Sequence, residues 1–476
     1  MKKNYILLLL LWIHFFHTSF SQVTLVKDIN PSYSYSVDGP DNLLSFGEHL
    51  YFRASNDTNG FQLWRTDGTT LGTTQAVNIS KYSGVTGDIL YSFDALNSHL
   101  LLNAKSGTYI TDGSQNGTKA LKNGYGTLFN LGGGNVLFLR TDSLLLYNET
   151  TNTTSSLKVF SRSSIGNVNT SSSKFCYFEL NDYAKNKLYL YVTDGTLAGT
   201  QLVDTLLFAS SIVDVYQDHV YYAQCDEVWE YDPIAHTTKK VYNFAFSNCP
   251  LQKNAVVRGK RFQNKLYVVV NPIGSYNTYS LSILQLENQV SRDSLQPFGV
   301  TGPYDFSFVN NRFLFFTDSY DFFSVDYSAD HLTGLVHFDG VTENGPDWYT
   351  QSDTKLFFYG SMSGKGWEPM ESDGTVAGTK LIADIRDGDL SSYPKYFTLH
   401  KGDLYFQAYG DQGYELYKYG NASVTTDLEE EAIMEPKKHV KMAYTLLGEP
   451  ILNIEEHEGF AILLFSDGTR QKIYKQ

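Results

Sequence analysis

The sequence predicts an all-β protein built from repeated units, and three observations support that prediction. Aromatic residues make up 15% of the chain and charged residues only 18%, a composition that favours strands over helices. A polar turn followed by a short apolar-aromatic strand recurs nine times. An Asp-Gly turn between extended runs also recurs. A repeat of roughly 45 residues with four short strands per unit is typical of a β-propeller blade.

The chain begins with a predicted signal peptide at residues 1–21. Lys2 and Lys3 precede the apolar run 5–16, and small residues stand at 19 and 21, where a cleavage site needs them. Polar residues interrupt this run, whereas a transmembrane helix needs about 20 apolar residues. We therefore expect a cleaved leader, a secreted or outer-surface protein, and no membrane span after cleavage.

The propeller domain is predicted over residues 22–419. Its nine apolar-aromatic strands are Leu50–Phe52, Leu100–Leu102, Val136–Phe138, Phe175–Phe178, Val220–Tyr222, Leu266–Val268, Phe313–Phe315, Leu356–Phe358 and Leu404–Phe406. Turn residues divide the first unit into four runs, 43–46, 50–54, 61–66 and 75–79. We expect eight or nine four-stranded blades, because one weak unit could be part of a neighbouring blade.

The two ends of the propeller domain are predicted to share one blade. Residues 24–29 read like residues 380–385, the last strand of a unit. The N-terminal strand would then complete a blade whose other strands come last, near 404–419. Such a strand exchange closes the ring and leaves no free sheet edge there.

The recurring Asp-Gly pairs are predicted to form tight hairpin turns. They are Asp67-Gly68, Asp112-Gly113, Asp194-Gly195 and Asp373-Gly374. Glycine accepts the positive φ of such turns, and the aspartate side chain can bond its own backbone. The carboxylates are therefore interpreted as structural rather than catalytic.

The repeat resembles that of the ELWxxDGT family, exported β-propeller proteins found mostly in Bacteroidota. The resemblance lies in Leu63-Trp64, Asp67-Gly68-Thr69 and Gly72-Thr73, and it returns at 193–200 and 372–379 and weakly at 109–118. It implies a propeller fold and no assigned activity.

The end of the chain is predicted to be a linker, 420–439, and a small β-sandwich-like domain, 440–476. The domain resembles a type A sorting domain of the type IX secretion system. Four residues stand at the motif positions of that family: Leu447, Gly448, Gly459 and Lys475. The resemblance implies the type IX secretion machinery as a partner.

Other candidate sites are sparse. The net charge of −14 argues against nucleic acid or an anionic membrane as a partner. Loop oxygens suit calcium, and two loops offer them: Asp384, Asp387 and Asp389, or Asn56, Asp57 and Asn59. Three tryptophans are candidates for stacking on sugar rings, with blade packing as the alternative: Trp229, Trp348 and Trp367. The three cysteines, Cys176, Cys225 and Cys249, allow one disulfide, such as Cys225 to Cys249.

These features predict a binding or scaffold module whose ligand, a glycan or a protein, lies against the loops of the propeller. The alternative is a propeller-fold hydrolase that acts on glycans. A hydrolase would need two carboxylates about 5–10 Å apart in the central channel.

Overall fold

The structure is a computed structural model. It describes residues 22–31, 39–56, 60–85, 87–96, 98–121, 127–132, 134–151, 153–169, 174–207, 212–244, 256–262, 265–270, 280–285, 290–293, 303–317, 321–326, 331–337, 349–362, 364–420, 440–445, 450–451, 459–465 and 470–475. The predicted signal peptide lies outside these residues. The chain divides into two compact units, up to and after residue 422.

The first unit contains strands β1 to β36 and one short helix. The first strand is β1 (Gln22–Lys27). Blade 1 comprises β2 (Asp41–Phe46), β3 (His49–Ser55), β4 (Phe61–Thr66) and β5 (Thr74–Val77), and the helix α1 (Ser80–Ser83) follows it. Blade 2 comprises β6 (Leu90–Ala95), β7 (Leu100–Ala104), β8 (Gly107–Thr111) and β9 (Lys119–Leu121). Blade 3 comprises β10 (Thr127–Gly132), β11 (Asn135–Leu139), β12 (Ser143–Asn148) and β13 (Thr153–Val159).

The middle blades follow the same plan. Blade 4 comprises β14 (Ser163–Asn169), β15 (Cys176–Asp182), β16 (Lys187–Thr193) and β17 (Gln201–Leu206). Blade 5 comprises β18 (Ile212–Tyr216), β19 (His219–Gln224), β20 (Glu227–Asp232) and β21 (Thr237–Asn243). Blade 6 comprises β22 (Val256–Phe262), β23 (Lys265–Val270), β24 (Ser280–Gln285) and β25 (Val290–Asp293).

The last three blades complete the unit. Blade 7 comprises β26 (Pro303–Val309), β27 (Arg312–Thr317), β28 (Asp321–Asp326) and β29 (His331–His337). Blade 8 comprises β30 (Thr350–Gln351), β31 (Leu356–Ser361), β32 (Trp367–Ser372) and β33 (Lys380–Leu381). Blade 9 comprises β34 (Lys395–His400), β35 (Asp403–Gly410), β36 (Gly413–Gly420) and the N-terminal β1.

Each of these nine described sheets has four antiparallel strands. In blades 1 to 8 the strand order follows the chain, for example β2-β3-β4-β5. In blade 9 the order is β1-β36-β35-β34, and Gln22 lies opposite Gly420 while Val23 lies opposite Tyr419. The predicted strand exchange is therefore confirmed.

The apolar strand of each unit is buried on both faces. In β3, Leu50 and Phe52 belong to a cluster with Val26 of blade 9, whereas Tyr51 belongs to a cluster with Leu100 of blade 2. This alternation follows from the two-residue period of a strand. Full burial of one such side chain contributes roughly 1.5–3 kcal/mol, so each blade depends on both neighbours.

Shared clusters of this kind continue around the unit. They join Leu101 to Phe138 (blades 2 and 3), Leu137 to Phe178 (3 and 4), Tyr177 to Tyr222 (4 and 5), Ala223 to Val268 (5 and 6), Leu314 to Phe358 (7 and 8) and Phe357 to Phe406 (8 and 9). Blades 6 and 7 meet where the Tyr267 ring stacks on Phe313, with centroids 5.3 Å apart. The first unit is a closed β-propeller, and nine blades are described.

The strand directions give the propeller two distinct faces. First strands of neighbouring blades contact each other, as β2 does with β6 and β34, so they line the centre of the ring. The turns after the first and third strands lie on one face, because consecutive strands are antiparallel. We call this the DGT face, since it carries the Asp-Gly turns of blades 1, 2, 4 and 8. The other face carries the connections from each blade to the next.

The second unit holds one described four-stranded sheet, where the sequence predicts a sandwich-like domain. Its strands are β37 (Val440–Thr445), β38 (Pro450–Ile451), β39 (Gly459–Phe465) and β40 (Arg470–Lys475), in the order β38-β37-β39-β40. Across both units, no helix among the described residues has the length and apolarity to cross a membrane.

Candidate functional site

The Asp-Gly turn of blade 1 is part of a longer hydrogen-bonded loop rather than the tight hairpin turn predicted from the sequence. Residues 67–73 connect β4 to β5. The Asp67 carboxylate accepts hydrogen bonds from the Thr69 N–H (2.9 Å) and hydroxyl (2.8 Å). The hydroxyls of Thr66 and Thr73 lie 2.7 Å apart at the base of the loop. The tight-hairpin prediction was wrong because side-chain hydroxyls hold the longer connection closed.

The same loop forms in three other blades. The hydroxyl pairs at its base are Thr111–Thr118 (2.8 Å), Thr193–Thr200 (2.7 Å) and Ser372–Thr379 (2.7 Å). The aspartates that accept a backbone N–H two residues on are Asp112 (2.8 Å), Asp194 (2.8 Å) and Asp373 (2.9 Å). The predicted bond from Asp to the local backbone is confirmed in all four copies.

The two glycines of the loop have different reasons to be glycine. Gly68 has φ +96°, and a Cβ there would lie 2.5 Å from the Tyr405 hydroxyl of blade 9. A Cβ on Gly72 would overlap the Asp67 carboxylate instead. Tyr405 belongs to the Leu-Tyr-Phe strand of its blade, so the two sequence signals meet where neighbouring blades pack.

In three of these loops the pKa of the aspartate is lowered, at Asp67, Asp112 and Asp373. The Ser114 hydroxyl lowers the pKa of Asp112. Burial raises the pKa of Asp373, but hydrogen bonds from Thr375 outweigh that effect and leave it below its ordinary value. A group held ionised by its own turn is a poor general acid, which favours the structural interpretation.

On the opposite face, a buried Gln or Glu holds each of three blade connections. In each blade this residue stands at the Glu position of the Glu-Leu-Trp part of the repeat. In blade 1 the Gln62 amide oxygen accepts the Ile79 N–H (2.7 Å), and its amide nitrogen donates to the Asp88 carbonyl (2.7 Å). One fully buried side chain therefore fixes both the end of blade 1 and the start of blade 2.

In blades 8 and 9 this position is a glutamate. Glu368 accepts the N–H groups of Ile385 (3.0 Å) and Ser392 (2.9 Å), and Glu415 accepts that of Ile29 (3.2 Å). Burial raises the pKa of both carboxyls, that of Glu415 to about 8. Sequence reasoning missed this role. The signal that could have found it is the Gln or Glu directly before the Leu-Trp pair of the repeat.

A hydrolase would need two carboxylates close together in the channel, and the described acidic side chains on the first strands of the blades do not form such a pair. Asp41 on β2 forms an ion pair with Arg53. The carboxyl of Asp94 on β6 is exposed to solvent, and desolvation by the surrounding protein raises its pKa, opposed by the Ala95 N–H. Asp214 lies on β18, three blades further on, where its charge acts on Lys260.

A cleft of about 320 Å³ opens on the DGT face between blades 4 and 5. One wall is the Asp-Gly loop of blade 4, including Asp194 and Gln201. The other is the turn between β20 and β21, including Pro233, Ile234 and His236. Sequence reasoning assigned Asp194 to a turn but did not find the cleft, because the β20–β21 turn lies outside the repeat pattern.

Of the three tryptophans that the sequence offers for sugar stacking, Trp229 and Trp367 are described, and neither lines this cleft. The Trp229 indole donates to Glu227 (3.0 Å), and Lys240 lies 5.7 Å over its ring. Trp367 packs edge-on against Tyr359, with centroids 5.4 Å apart. Both are half-buried, so blade packing accounts for them. Trp348 lies outside the described residues.

The candidate calcium loop is organised by a lysine. Asp384 forms an ion pair with Lys365 and also accepts the Gly388 N–H (3.3 Å). The described residues hold no group of three His, Cys, Asp or Glu side chains arranged for a metal, so Asp384, Asp387 and Asp389 are not brought together as ligands. In the other candidate calcium loop, Asn56 is described, whereas Asp57 and Asn59 lie outside the described residues.

Cys225 is disulfide-bonded, and Cys176 is a buried free thiol whose pKa is raised by burial. Cys249 lies outside the described residues.

In the second unit, Gly459 begins β39 and lies opposite Lys475 of β40, whereas Leu447 and Gly448 lie outside the described part.

No protein-family model matches the sequence, and no curated protein matches it. Among solved structures, the computationally designed Ika8 protein is similar at 10% identity, with a TM-score of 0.44 over 83% of this chain and 99% of its own. BamB from Moraxella catarrhalis is similar at 13% identity, with a TM-score of 0.34 over 62% of this chain and 81% of its own. A puromycin-hydrolyzing peptidase from Mycobacterium tuberculosis is similar at 11% identity, with a TM-score of 0.38 over 81% of this chain and 59% of its own. Similarity at this level carries no argument about function.

Proposed function

We propose that this protein is a secreted or surface-attached β-propeller that binds a glycan or protein ligand as a scaffold module. The observation that carries the proposal is the commitment of the repeated carboxylates to their own turns, as shown by the Asp67–Thr69 contacts. Internal hydrogen bonds hold the loops closed, and such loops on a propeller face suit binding more than proton transfer.

Export is the second part of the proposal. The N-terminal leader and the resemblance of the tail to a type IX sorting domain support it. The closing strand β1 begins at Gln22, directly after the predicted cleavage site, and Gln22 pairs with Gly420. An uncleaved leader would therefore extend from the closing strand itself.

Binding is tested by exposing the purified protein to arrays of glycans and of surface polypeptides, with and without calcium. Saturable, selective binding to either array supports a binding module, and a blank result on both contradicts it. Binding that survives chelation would exclude calcium as a required cofactor.

Export is tested separately by deleting residues 440–476 in a host that has the type IX machinery. We expect the shortened protein to accumulate in the periplasm. Unchanged delivery to the surface or medium would contradict the assignment of the tail.

A glycan hydrolase is the alternative, and Asp94 is the observation that favours it. A carboxyl with a raised pKa on a channel wall is what a general acid needs. The test is the release of reducing sugar from polysaccharides by the protein and by Asp94→Asn. Release that depends on Asp94 would establish the enzyme.

A further inference from the structure

We propose that the cleft between blades 4 and 5 binds one neutral sugar residue of a glycan ligand. This inference rests on the proposed binding function and assigns it to a site. Four observations carry it: the polar groups of the cleft, its charge, its apolar wall and its rigidity.

The polar groups of the cleft offer both acceptors and a donor. Asp194 Oδ1 is engaged by the Thr196 N–H (2.8 Å) and hydroxyl (2.7 Å), which leaves Oδ2 as the acceptor for a ligand. Gln201 Nε2 donates to the Ala198 carbonyl (2.9 Å), so its Oε1 is the second acceptor. His236 Nδ1 lies 3.1 Å from the Tyr231 hydroxyl. In the tautomer in which Nδ1 accepts from that hydroxyl, Nε2–H is the donor for a ligand.

This set suits hydroxyl groups. A hydroxyl both donates and accepts, so the hydroxyls of one ligand can donate to Asp194 and accept from His236. An ammonium or guanidinium group only donates and would leave a donor of the cleft unmatched. A carboxylate or phosphate only accepts, and none of the described residues that line the cleft is a Lys or Arg that could balance its charge. A neutral polyhydroxylated ligand is therefore the best match.

The apolar part of the cleft suits the C–H face of a sugar ring. Phe175 and Pro233 line it, and Ile234 is 74% exposed beside it. The cavity volume is near the lower end of the roughly 300–1,000 Å³ range of ligand pockets. A single ring, with the rest of the glycan in solvent, fits that size.

Both walls are fixed before a ligand arrives. The Asp194 loop is closed by the Thr193–Thr200 hydroxyl pair. In the opposite turn, Asp232 accepts the N–H groups of Ile234 (2.8 Å) and Ala235 (2.9 Å). Because these hydrogen bonds lower the cost of ordering the walls at binding, a modest set of contacts gives measurable affinity.

The test compares full-chain variants on one array of neutral and acidic oligosaccharides and one array of lysine- and arginine-rich peptides. The variants are Asp194→Asn and His236→Ala. Asp373→Asn is the matched control, because it makes the same change in the corresponding loop of blade 8, where Thr375 makes the same contacts to the aspartate. Thermal unfolding of Asp194→Asn and Asp373→Asn should agree, which shows that any difference in binding does not come from folding.

We expect neutral-glycan binding to fall at least tenfold in Asp194→Asn and His236→Ala and to stay unchanged in Asp373→Asn. Neutral-glycan binding that is equal in all variants would overturn the site and leave the proposed function standing. Binding only to acidic glycans or to basic peptides would overturn the ligand class. No binding by the unmodified protein to either array would overturn the ligand class, and a blank on the array of surface polypeptides as well would contradict the proposed function itself.

Discussion

Blade 1 and blade 9 perform the same structural task with different connectivity. In blade 1 the third and fourth strands are joined by the Asp-Gly loop, and Gln62 holds the connection to the next blade. In blade 9 the fourth strand is β1, which comes from the other end of the propeller, and Glu415 holds its end. The comparison shows that the repeat motif supports local connections, whereas ring closure depends on β1 and one buried carboxyl.

The largest expected effect is at the closing strand. Val26 of β1 is buried against Leu50 and Phe52 of blade 1. Val26→Asp places an unpaired charge there and should lower the free energy of unfolding by about 3–5 kcal/mol. Thr24→Asp is the control, because Thr24 is exposed on the same strand. Equal urea midpoints for the two variants would mean that β1 does not close the ring.

The second prediction concerns pH and Glu415. Burial raises the pKa of Glu415 to about 8, so the native state holds a proton that the unfolded state has released. Stability from this group is present at low pH and is lost as the pH rises from about 4.5 through 8. Glu415→Gln copies the residue of blade 1 and removes this dependence.

The measurement is the free energy of unfolding of both proteins from pH 5 to pH 8. The free energy of unfolding of Glu415→Gln, relative to that of the original protein, should rise by about 3 kcal/mol over that range. Glu48→Gln is the control, because Glu48 is exposed. Parallel pH profiles for the original protein and Glu415→Gln would refute the role of this carboxyl.

The third prediction tests the packing of the Asp-Gly loop against the preceding blade. Gly68→Ala should cost about 2 kcal/mol, from positive φ and from overlap with the Tyr405 hydroxyl. Gly402→Ala has a similar φ of +87° with no atom within 4 Å of the added Cβ, so it should cost less. Adding Tyr405→Phe to Gly68→Ala should recover part of the loss, and a simple sum of the two single effects would argue against the overlap.

The smallest expected effect is within the loop. Thr73→Val removes the buried hydroxyl pair with Thr66 and should lower the free energy of unfolding by about 1 kcal/mol. Thr74→Val, one residue on at an exposed position, is the control. Indistinguishable thermal midpoints would show that the hydroxyl pair does not hold the loop closed.

Much of the propeller could be predicted from the sequence. The Leu-Tyr-Phe strands and their period predicted the blades and their positions. The likeness of residues 24–29 to residues 380–385 predicted that the N-terminal strand closes the ring. Both signals are local patterns imposed by burial on two faces of a strand. Loop length was predicted less well, because an Asp-Gly pair is compatible with several turn geometries.

The polar details could not be predicted because they depend on long-range contacts. Gln62 and Glu415 are polar residues within apolar runs, and only the structure shows the backbone groups they bond. The cleft beside Asp194 needs the turn at Pro233 to His236, which carries no repeat signal. Contacts between residues of neighbouring blades can therefore be identified only from the structure.

The central claim is that β1 closes the ring, and native-state hydrogen exchange tests it most directly. The amides of β1 that are hydrogen-bonded to β36 should exchange only with global unfolding, at the same opening free energy as the amides of β36, because a closing strand opens with the whole ring. Exchange of β1 at a far lower opening free energy than β36 would contradict closure and make β1 a peripheral strand.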